Sequence, residues 1–257
     1  MLETYFKVSD IRVRALPFGT PPEFNYAVFP DQDKENKVVL TKHMSDSFRL
    51  ITTGPIDELK LTNQNLLTWE DYWVDREADD LVDPGIKNLD LRRNSLVSVN
   101  INVERPYLKR LNLSENPDMH SLFLLNCPKL ERLDVSHCRG LAVINLGRNR
   151  NLQFLSARGC NLNAVAQERL LRDFTPTITS DGGSSRLFKK EYKTFLDLRG
   201  NDVDWSNRNI ASKVRLLLCN NWLVLWDNPP PTSVVPVQMY AFFTNSLENS
   251  LIRSYYG

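Results

Sequence analysis

The segment LERLDVSHCRGL, residues 130 to 141, places three residues with catalytic or metal-binding potential next to one another: Ser136, His137 and Cys138. A serine or cysteine nucleophile beside a histidine base could carry out acyl transfer, and cysteine and histidine are common zinc ligands. Such chemistry requires the side chains to converge, whereas successive side chains of an extended segment point in different directions. The elements around the segment therefore decide whether these residues react or only support the fold.

Four segments of the chain, this one included, align without gaps, and their starts are 22 residues apart. They are IKNLDLRRNSL from Ile86, LKRLNLSENPDM from Leu108, LERLDVSHCRGL from Leu130 and LQFLSARGCNL from Leu152. The shared pattern is L-x-x-L-x-L-x-x-N/C, and weaker copies, IDELKLTNQNL and FLDLRGNDV, flank the array. This period predicts stacked repeats in which the leucines of L-x-L point from a short strand into the core.

The last position of the pattern holds Asn94, Asn116, Cys138, Cys160 and Asn201. An inward Asn can bond backbone groups of the turn that would otherwise be unpaired, and Cys is a small, weak donor. We therefore expect a structural ladder at these positions, with Ser136 and His137 at the exit of the strand. Reduced thiols are expected, and a Cys138 to Cys160 disulfide is the alternative that the spacing of neighbouring strands allows.

A metal site is not expected at the cysteines. Cys127, Cys138 and Cys160 are separated by 11 and 22 residues, the half period and the period of the repeat. Structural zinc sites favour cysteines two to four residues apart.

The pattern resembles the leucine-rich repeat family in its short bacterial and bacteriophage (internalin-like) form, including the Asn-Cys-Pro run at 126 to 128. The resemblance implies an α/β repeat fold. This is a leucine-rich repeat β-solenoid with short parallel strands, a small N-terminal β cap domain and a C-terminal helix-strand cap. Between ladder positions, apolar residues with a period of two occur at Leu122 and Leu124 and again at Ile144 and Leu146, which predicts a second short strand rather than a helix.

Three domains are predicted. Residues 1–55 contain β-rich runs and form an N-terminal cap domain. Residues 56–227 contain the repeats and a C-terminal cap, with a helix carrying Ala166, Leu170, Leu171 and Phe174 and a closing helix that ends in Trp222, Leu223 and Val224. The acidic insertion WEDYWVDREADDLVDPG is expected to be a loop or short helix. Residues 228–257 form an extended, Pro-rich tail that serves as an assembly element.

Protein-binding residues are expected at two places. Phe154 and Phe195 occupy one predicted exposed column with Arg158 and Arg199 beside it, a composition typical of interface anchors. Packing of both phenylalanines under the C-terminal cap is the alternative. The tail contributes Tyr240, Phe242, Phe243, Leu251 and Tyr255, because a lone strand and a short helix are marginal in water and must dock. They dock either on neighbouring chains or back on the same chain.

Composition and motifs argue against other classes. Thirty-two Lys and Arg against thirty-one Asp and Glu leave a net charge of +1, so no nucleic-acid partner is expected. We see no signal peptide and no apolar stretch of membrane-spanning length, and we expect a location in a virion or the cytoplasm without membrane contact. The common hydrolase, zinc-protease and P-loop motifs do not occur. We expect no catalytic residue, no metal, no cofactor and no small-molecule substrate.

These observations predict a non-enzymatic leucine-rich repeat protein that mediates protein-protein interaction. We expect a structural component of a larger assembly, such as a bacteriophage virion, with neighbouring chains as partners. The alternative is a soluble bacterial adaptor or effector that binds a partner protein on its concave face.

Overall fold

The computed structural model describes residues 2–7, 25–28, 38–43, 47–52, 58–63, 66–73, 86–101, 104–147, 149, 151–174, 194–219, 222–228 and 230–231. The strands in these residues are β1 (Leu2–Lys7), β2 (Asn25–Val28), β3 (Val38–His43), β4 (Ser47–Thr52), β5 (Glu58–Lys60), β6 (Thr68–Trp73), β7 (Asn88–Asp90), β8 (Ser98–Ile101), β9 (Arg110–Asn112), β10 (Ser121–Leu124), β11 (Arg132–Asp134), β12 (Val143–Asn145), β13 (Phe154–Ser156), β14 (Thr194–Asp197) and β15 (Trp222–Leu225). Two helices, α1 (Ala164–Phe174) and α2 (Arg208–Cys219), accompany them. The strands form two sheets, an α/β arrangement compatible with a repeat solenoid.

The front sheet contains β5, β7, β9, β11, β13, β14 and β15 in that order, and every pairing is parallel. The central residues of the strands pair in a single register: Leu59, Leu89, Leu111, Leu133, Leu155, Leu196 and Val224. These side chains are buried and form one row of the core. From Leu89 to Leu155 the register follows the repeat of the sequence position by position.

The back sheet contains the second strands that follow β5, β7, β9 and β11, whereas helix α1 follows β13. Strands β6, β8, β10 and β12 are parallel neighbours, as the alternating leucines and isoleucine predicted. Val99, Leu122 and Ile144 pair in register and are buried. The core therefore lies between two sheets whose inward side chains come from successive repeats.

The same back sheet continues into the N-terminal strands. Strand β1 pairs antiparallel with β6, and β4, β3 and β2 follow in antiparallel order. The N-terminal strands and the repeats thus share one hydrogen-bonded sheet. The sequence predicted the N-terminal strands as a separate cap domain, and their continuity with the back sheet is a finding of the structure.

The two helices lie at the C-terminal end of the repeats. Helix α1 begins after Asn163, whose side chain accepts a hydrogen bond from the backbone N–H of Ala166 at 2.9 Å, the usual arrangement of an N-cap. Its buried residues are the four predicted ones and Gln167: Ala166, Gln167, Leu170, Leu171 and Phe174. The Phe174 ring meets the Trp222 ring edge to face at 4.6 Å, so α1 packs against the last strand.

Two predicted elements differ in the structure. Trp222, Leu223 and Val224 form a strand rather than the end of a helix, because β15 pairs with β14 and its four side chains are buried on both faces of the sheet. The insertion begins as a strand as well, since β6 lies between β1 and β8 with Trp69 fully buried. Residues 74–85 of the insertion and 232–257 of the tail lie outside the described residues.

Candidate functional site

The side chains of Ser136, His137 and Cys138 have separate environments. The Ser136 hydroxyl donates to Asp134 Oδ1 at 2.6 Å. The Cys138 thiol is fully buried and donates to the carbonyl oxygen of Leu113 at 3.2 Å, and burial raises its pKa. His137 has a positive φ of 61° and an exposed side chain. No nucleophile-base contact joins the serine or the cysteine to the histidine in the hydrogen bonds of the described residues.

The ladder residues bond backbone groups of two successive repeats. Asn116 accepts from the N–H groups of Asn94 and Leu96 at 3.1 and 3.2 Å and donates to the carbonyls of Leu91 and Leu113 at 3.1 and 2.7 Å. Asn94 and Asn201 make equivalent contacts in their own turns. The Cys160 thiol donates to the Val135 carbonyl at 2.9 Å, and burial raises its pKa to about 12. Cys127, Cys138 and Cys160 are free thiols.

A second ladder lies at the turns of the back sheet and was not predicted. Asn149 accepts from the N–H of Cys127 at 2.8 Å and donates to the carbonyl of Leu124 at 2.9 Å. Cys127 lies 22 residues before Asn149, and Arg105, also buried, lies 22 residues before Cys127. The signal that could have revealed this ladder is the half-period spacing of Cys127 from Cys138.

The residues between the paired leucines of the front strands cap their own turns. Asp90, Asn112, Asp134 and Asp197 each accept a hydrogen bond from the backbone N–H two residues later, at 2.9 to 3.2 Å. Asp90 and Asp197 also form ion pairs with Arg92 and Arg199 of the same turns. These side chains are therefore committed to local turn geometry rather than to ion pairs between neighbouring strands.

The predicted exposure of Phe154 and Phe195 is wrong. The two side chains are only 3% and 1% exposed. Their rings stack on each other at 4.9 Å, and the Arg132 guanidinium lies over the Phe154 ring at 4.6 Å. The physical reason is that parallel register places the two rings directly opposite on β13 and β14, where stacking and burial go together. They belong to the packing of the front sheet.

Arg158 and Arg199, the other two predicted residues of this region, come together in a cleft of about 620 Å³. We call it the turn cleft and define it by His137, Arg139, Arg158, Gly159, Asn161, Arg199, Gly200 and Asp227. The remaining predicted binding residues, Tyr240, Phe242, Phe243, Leu251 and Tyr255, lie outside the described residues.

The turn cleft forms along a row of residues with left-handed backbone. Arg93, Glu115, His137, Gly159 and Gly200 have φ values between 58° and 70° and occupy equivalent positions in successive turns. Each N–H of the first four donates to a carbonyl of the following turn, at 2.7 to 3.0 Å. At the last turn the Gly200 N–H donates to the Asp227 carboxylate instead. This carboxylate therefore closes the row of stacked turns.

The turn cleft carries more positive than negative charge. Arg199 is neutralised by Asp197, with 2.7 Å between Nη2 and Oδ2. Arg139 and Arg158 are exposed and form no ion pair with any residue of the described parts of the chain. The cleft thus presents two uncompensated guanidinium groups beside a single carboxylate, that of Asp227.

Neither a metal cluster nor a membrane-spanning helix is found in the described part of the chain. It contains no group of three or more His, Cys, Asp or Glu side chains arranged to hold a metal ion. Neither α1 nor α2 is long and apolar enough to cross a membrane.

The chain was compared with protein-family models, curated proteins and solved structures, and none of them matches it.

Proposed function

We propose that the chain is a leucine-rich repeat solenoid, capped at both ends, that works as a non-enzymatic protein-binding module within a larger assembly such as a bacteriophage virion. The observation that carries the proposal is the unbroken register of the front sheet. It places side chains from seven strands in straight rows, a surface with many fixed positions and no single reactive centre. Extended rows of this kind are the surfaces that repeat proteins use for binding.

The exposure of the front-strand side chains falls from the N-terminal to the C-terminal strands, which supports a binding surface over the N-terminal half of the front sheet. Glu58, Lys60 and Arg110 are exposed, whereas Phe154 and Phe195 further along the sheet are buried. Polar residues with a well-supported backbone beneath them suit a partner of complementary charge. The free front surface therefore lies over β5 to β9.

The environments of the reactive residue types also favour binding over catalysis. A nucleophilic cysteine needs a lowered pKa and access to substrate. Cys138 and Cys160 have raised pKa values and are fully buried. Their thiols instead donate to backbone carbonyls, as the amides of the Asn ladder do.

Site-specific photo-crosslinking in the organism that encodes the chain tests this function. A photo-reactive amino acid at Arg110 probes the front surface, and the same amino acid at His120, exposed just before β10, is the control on the other side of the repeat. We expect a protein adduct from position 110 and none from position 120. An adduct that sediments with a large particle supports the assembly component, and an adduct with a single free protein supports the adaptor or effector. Equal labelling at both positions, or none at position 110, contradicts the proposal.

A further inference from the structure

We propose that the turn cleft binds a carboxylate-bearing segment of a protein partner, that is, an acidic peptide. This inference rests on the protein-binding function proposed above and names the chemistry of what is bound. It concerns a surface at the turns, separate from the exposed row over β5 to β9.

The hollow itself follows from two consecutive glycines in the row of left-handed residues. The preceding turns carry the Arg93, Glu115 and His137 side chains at this position, and Arg93 and Glu115 pair at 3.0 Å across their turns. At Gly159 and Gly200 the row has no side chain, so the backbone of two turns forms the floor. A Cβ atom at Gly159 would lie 2.8 Å from His137 Nδ1, and one at Gly200 would lie 2.8 Å from the Gly159 Cα. The close approach of the two turns thus requires glycine at position 200, while the His137 imidazole lies against Gly159 and borders the floor.

Two further rows of the repeat form the walls. Arg139 lies two residues after His137, and Asn161 lies two residues after Gly159, so the two positions are 22 residues apart. Arg158 and Arg199 each directly precede the glycine of their turn. Arginine on both sides of a glycine floor allows one carboxylate to be approached from two directions, and each guanidinium can bind a carboxylate through two parallel hydrogen bonds.

The balance of charge favours a carboxylate over a phosphate. Three arginines face two aspartates, Asp227 in the cleft and Asp197 paired with Arg199, so the local excess is one positive charge (3 − 2 = 1). A dianionic phosphate would lie near the Asp227 carboxylate with too little positive charge to compensate it. A peptide carries one charge per carboxylate and also has backbone N–H groups that can donate to Asp227.

The size of the cleft favours a peptide segment over a single small anion. Its volume of about 620 Å³ lies within the range of pockets that enclose drug-sized ligands. A lone carboxylate group would leave this space unfilled. Several residues of an extended chain, with one acidic side chain between Arg139 and Arg158, match both the volume and the charge.

The test uses the full chain labelled with ¹⁵N only at glycine, which gives at most ten backbone amide signals, including those of Gly159 and Gly200. The probe is a hexaglutamate peptide, with hexaserine and pyrophosphate as comparison ligands. We expect hexaglutamate to shift the Gly159 and Gly200 signals with a saturating curve, and hexaserine to shift neither. The dissociation constant should rise with salt because the contacts are exposed and ionic.

A matched pair of double variants separates the cleft from general charge. Arg139→Gln with Arg158→Gln removes the two uncompensated guanidinium groups and should raise the dissociation constant at least tenfold. Arg169→Gln with Arg215→Gln removes two exposed arginines of α1 and α2, the same change in net charge, and should change it less than twofold. All four side chains are exposed, so both variants should unfold at the parent urea concentration.

The inference is overturned if hexaglutamate moves no cleft glycine at millimolar concentration, or if both double variants weaken binding equally. Displacement of the peptide by a lower concentration of pyrophosphate would also overturn it, in favour of a phosphate site. Photo-crosslinking from position 110 in the Arg139→Gln, Arg158→Gln variant distinguishes failure of the cleft assignment from failure of the protein-binding function. If that adduct persists while hexaglutamate fails to bind the parent protein, the cleft assignment is wrong and the protein-binding function stands.

Discussion

A single asparagine side chain in the ladder satisfies backbone groups of two turns. Asn116 is fully buried, and four hydrogen bonds link its amide to Asn94, Leu96, Leu91 and Leu113. Asn116→Ala leaves these backbone groups without partners in a dry interior. We expect a loss of roughly 2 to 4 kcal/mol in the free energy of unfolding, measured by urea denaturation.

The matched control is Cys138→Ser at the next ladder position. Its thiol donates to the Leu113 carbonyl at 3.2 Å and, at the longer distance of 3.9 Å, to the Ser136 carbonyl, and a hydroxyl can replace that donor. The loss should be smaller than for Asn116→Ala. If the alanine variant unfolds at the same urea concentration as the parent, the ladder does not support the turns.

Asp134 makes a pH-dependent contribution to stability. Burial raises the pKa of this carboxyl above its ordinary value, although hydrogen bonds from Ser136 partly oppose the shift. A carboxyl with a raised pKa in the folded state stabilises the fold below its unfolded pKa, and this contribution is lost as the pH rises through the folded pKa. Asp134→Asn keeps an acceptor for Ser136, as Asn112 does for Ser114 at 3.0 and 2.7 Å, and removes the half-buried charge.

We therefore expect Asp134→Asn to raise the melting temperature at pH 7, with the difference shrinking below about pH 4, where both forms are neutral. The reverse exchange, Asn112→Asp, should lower the melting temperature at pH 7. A melting temperature below the parent's for Asp134→Asn at pH 7 would mean that the charge itself supports the turn.

At the level of elements, the stacked turns constrain their glycines unequally. Gly159 and Gly200 both have positive φ, at 65° and 70°. A Cβ at Gly159 meets the exposed imidazole of His137, which can rotate, whereas a Cβ at Gly200 meets the backbone of Gly159. Gly159→Ala should cost about 1 kcal/mol in the free energy of unfolding, and Gly200→Ala about 3 kcal/mol. Urea denaturation measures both, and equal losses would contradict this stacking of turns.

The packing of the Phe154 ring in the front sheet stabilises the fold. Its ring lies between the Phe195 ring and the Arg132 guanidinium. Phe154→Ala should lower the free energy of unfolding by about 3 to 5 kcal/mol, since it leaves a cavity beside β14. Tyr107→Ala is the control, because this ring is 42% exposed and contacts Lys129 at its surface, and should cost less than about 1 kcal/mol. A loss below 1 kcal/mol for Phe154→Ala would show that the ring is not packed.

Elements with a strong period were predictable, and those without one were not. The front strands of the four repeats follow from the L-x-L pattern, β10 and β12 follow from the second alternating run, and α1 follows from its helical spacing. Trp222 to Leu225 is apolar at every position, a pattern that does not distinguish a buried strand from the end of a helix. The acidic residues in WEDYW favoured a loop or short helix over a strand. The place of β6 is set instead by its pairing with β1 and β8.

In the whole molecule, the turn cleft is lined by residues from several turns, so the sequence of a single repeat does not reveal it. Arg158 and Arg199 could be grouped because they occupy one column of the repeat. Arg139 and Asn161 form another column, which was not among the predicted binding residues. Asp227 follows β15, beyond the last L-x-L strand, so its contact with Gly200 depends on how the array ends. The composition of the cleft is a property of the stacked turns together.

Successive strands of the front sheet pair with a 22-residue register from β7 to β13. Arg110 and Arg132 are register partners on β9 and β11, where neighbouring strands lie about 4.8 Å apart, within disulfide reach. Arg110→Cys with Arg132→Cys should therefore oxidise to a disulfide under native conditions, detected by mass spectrometry of peptides. Arg110→Cys with His120→Cys joins positions only ten residues apart in sequence but near strands of different sheets, and should stay reduced. An unfolded chain favours the shorter loop, so faster oxidation of the 110–120 pair than of the 110–132 pair would contradict the 22-residue register.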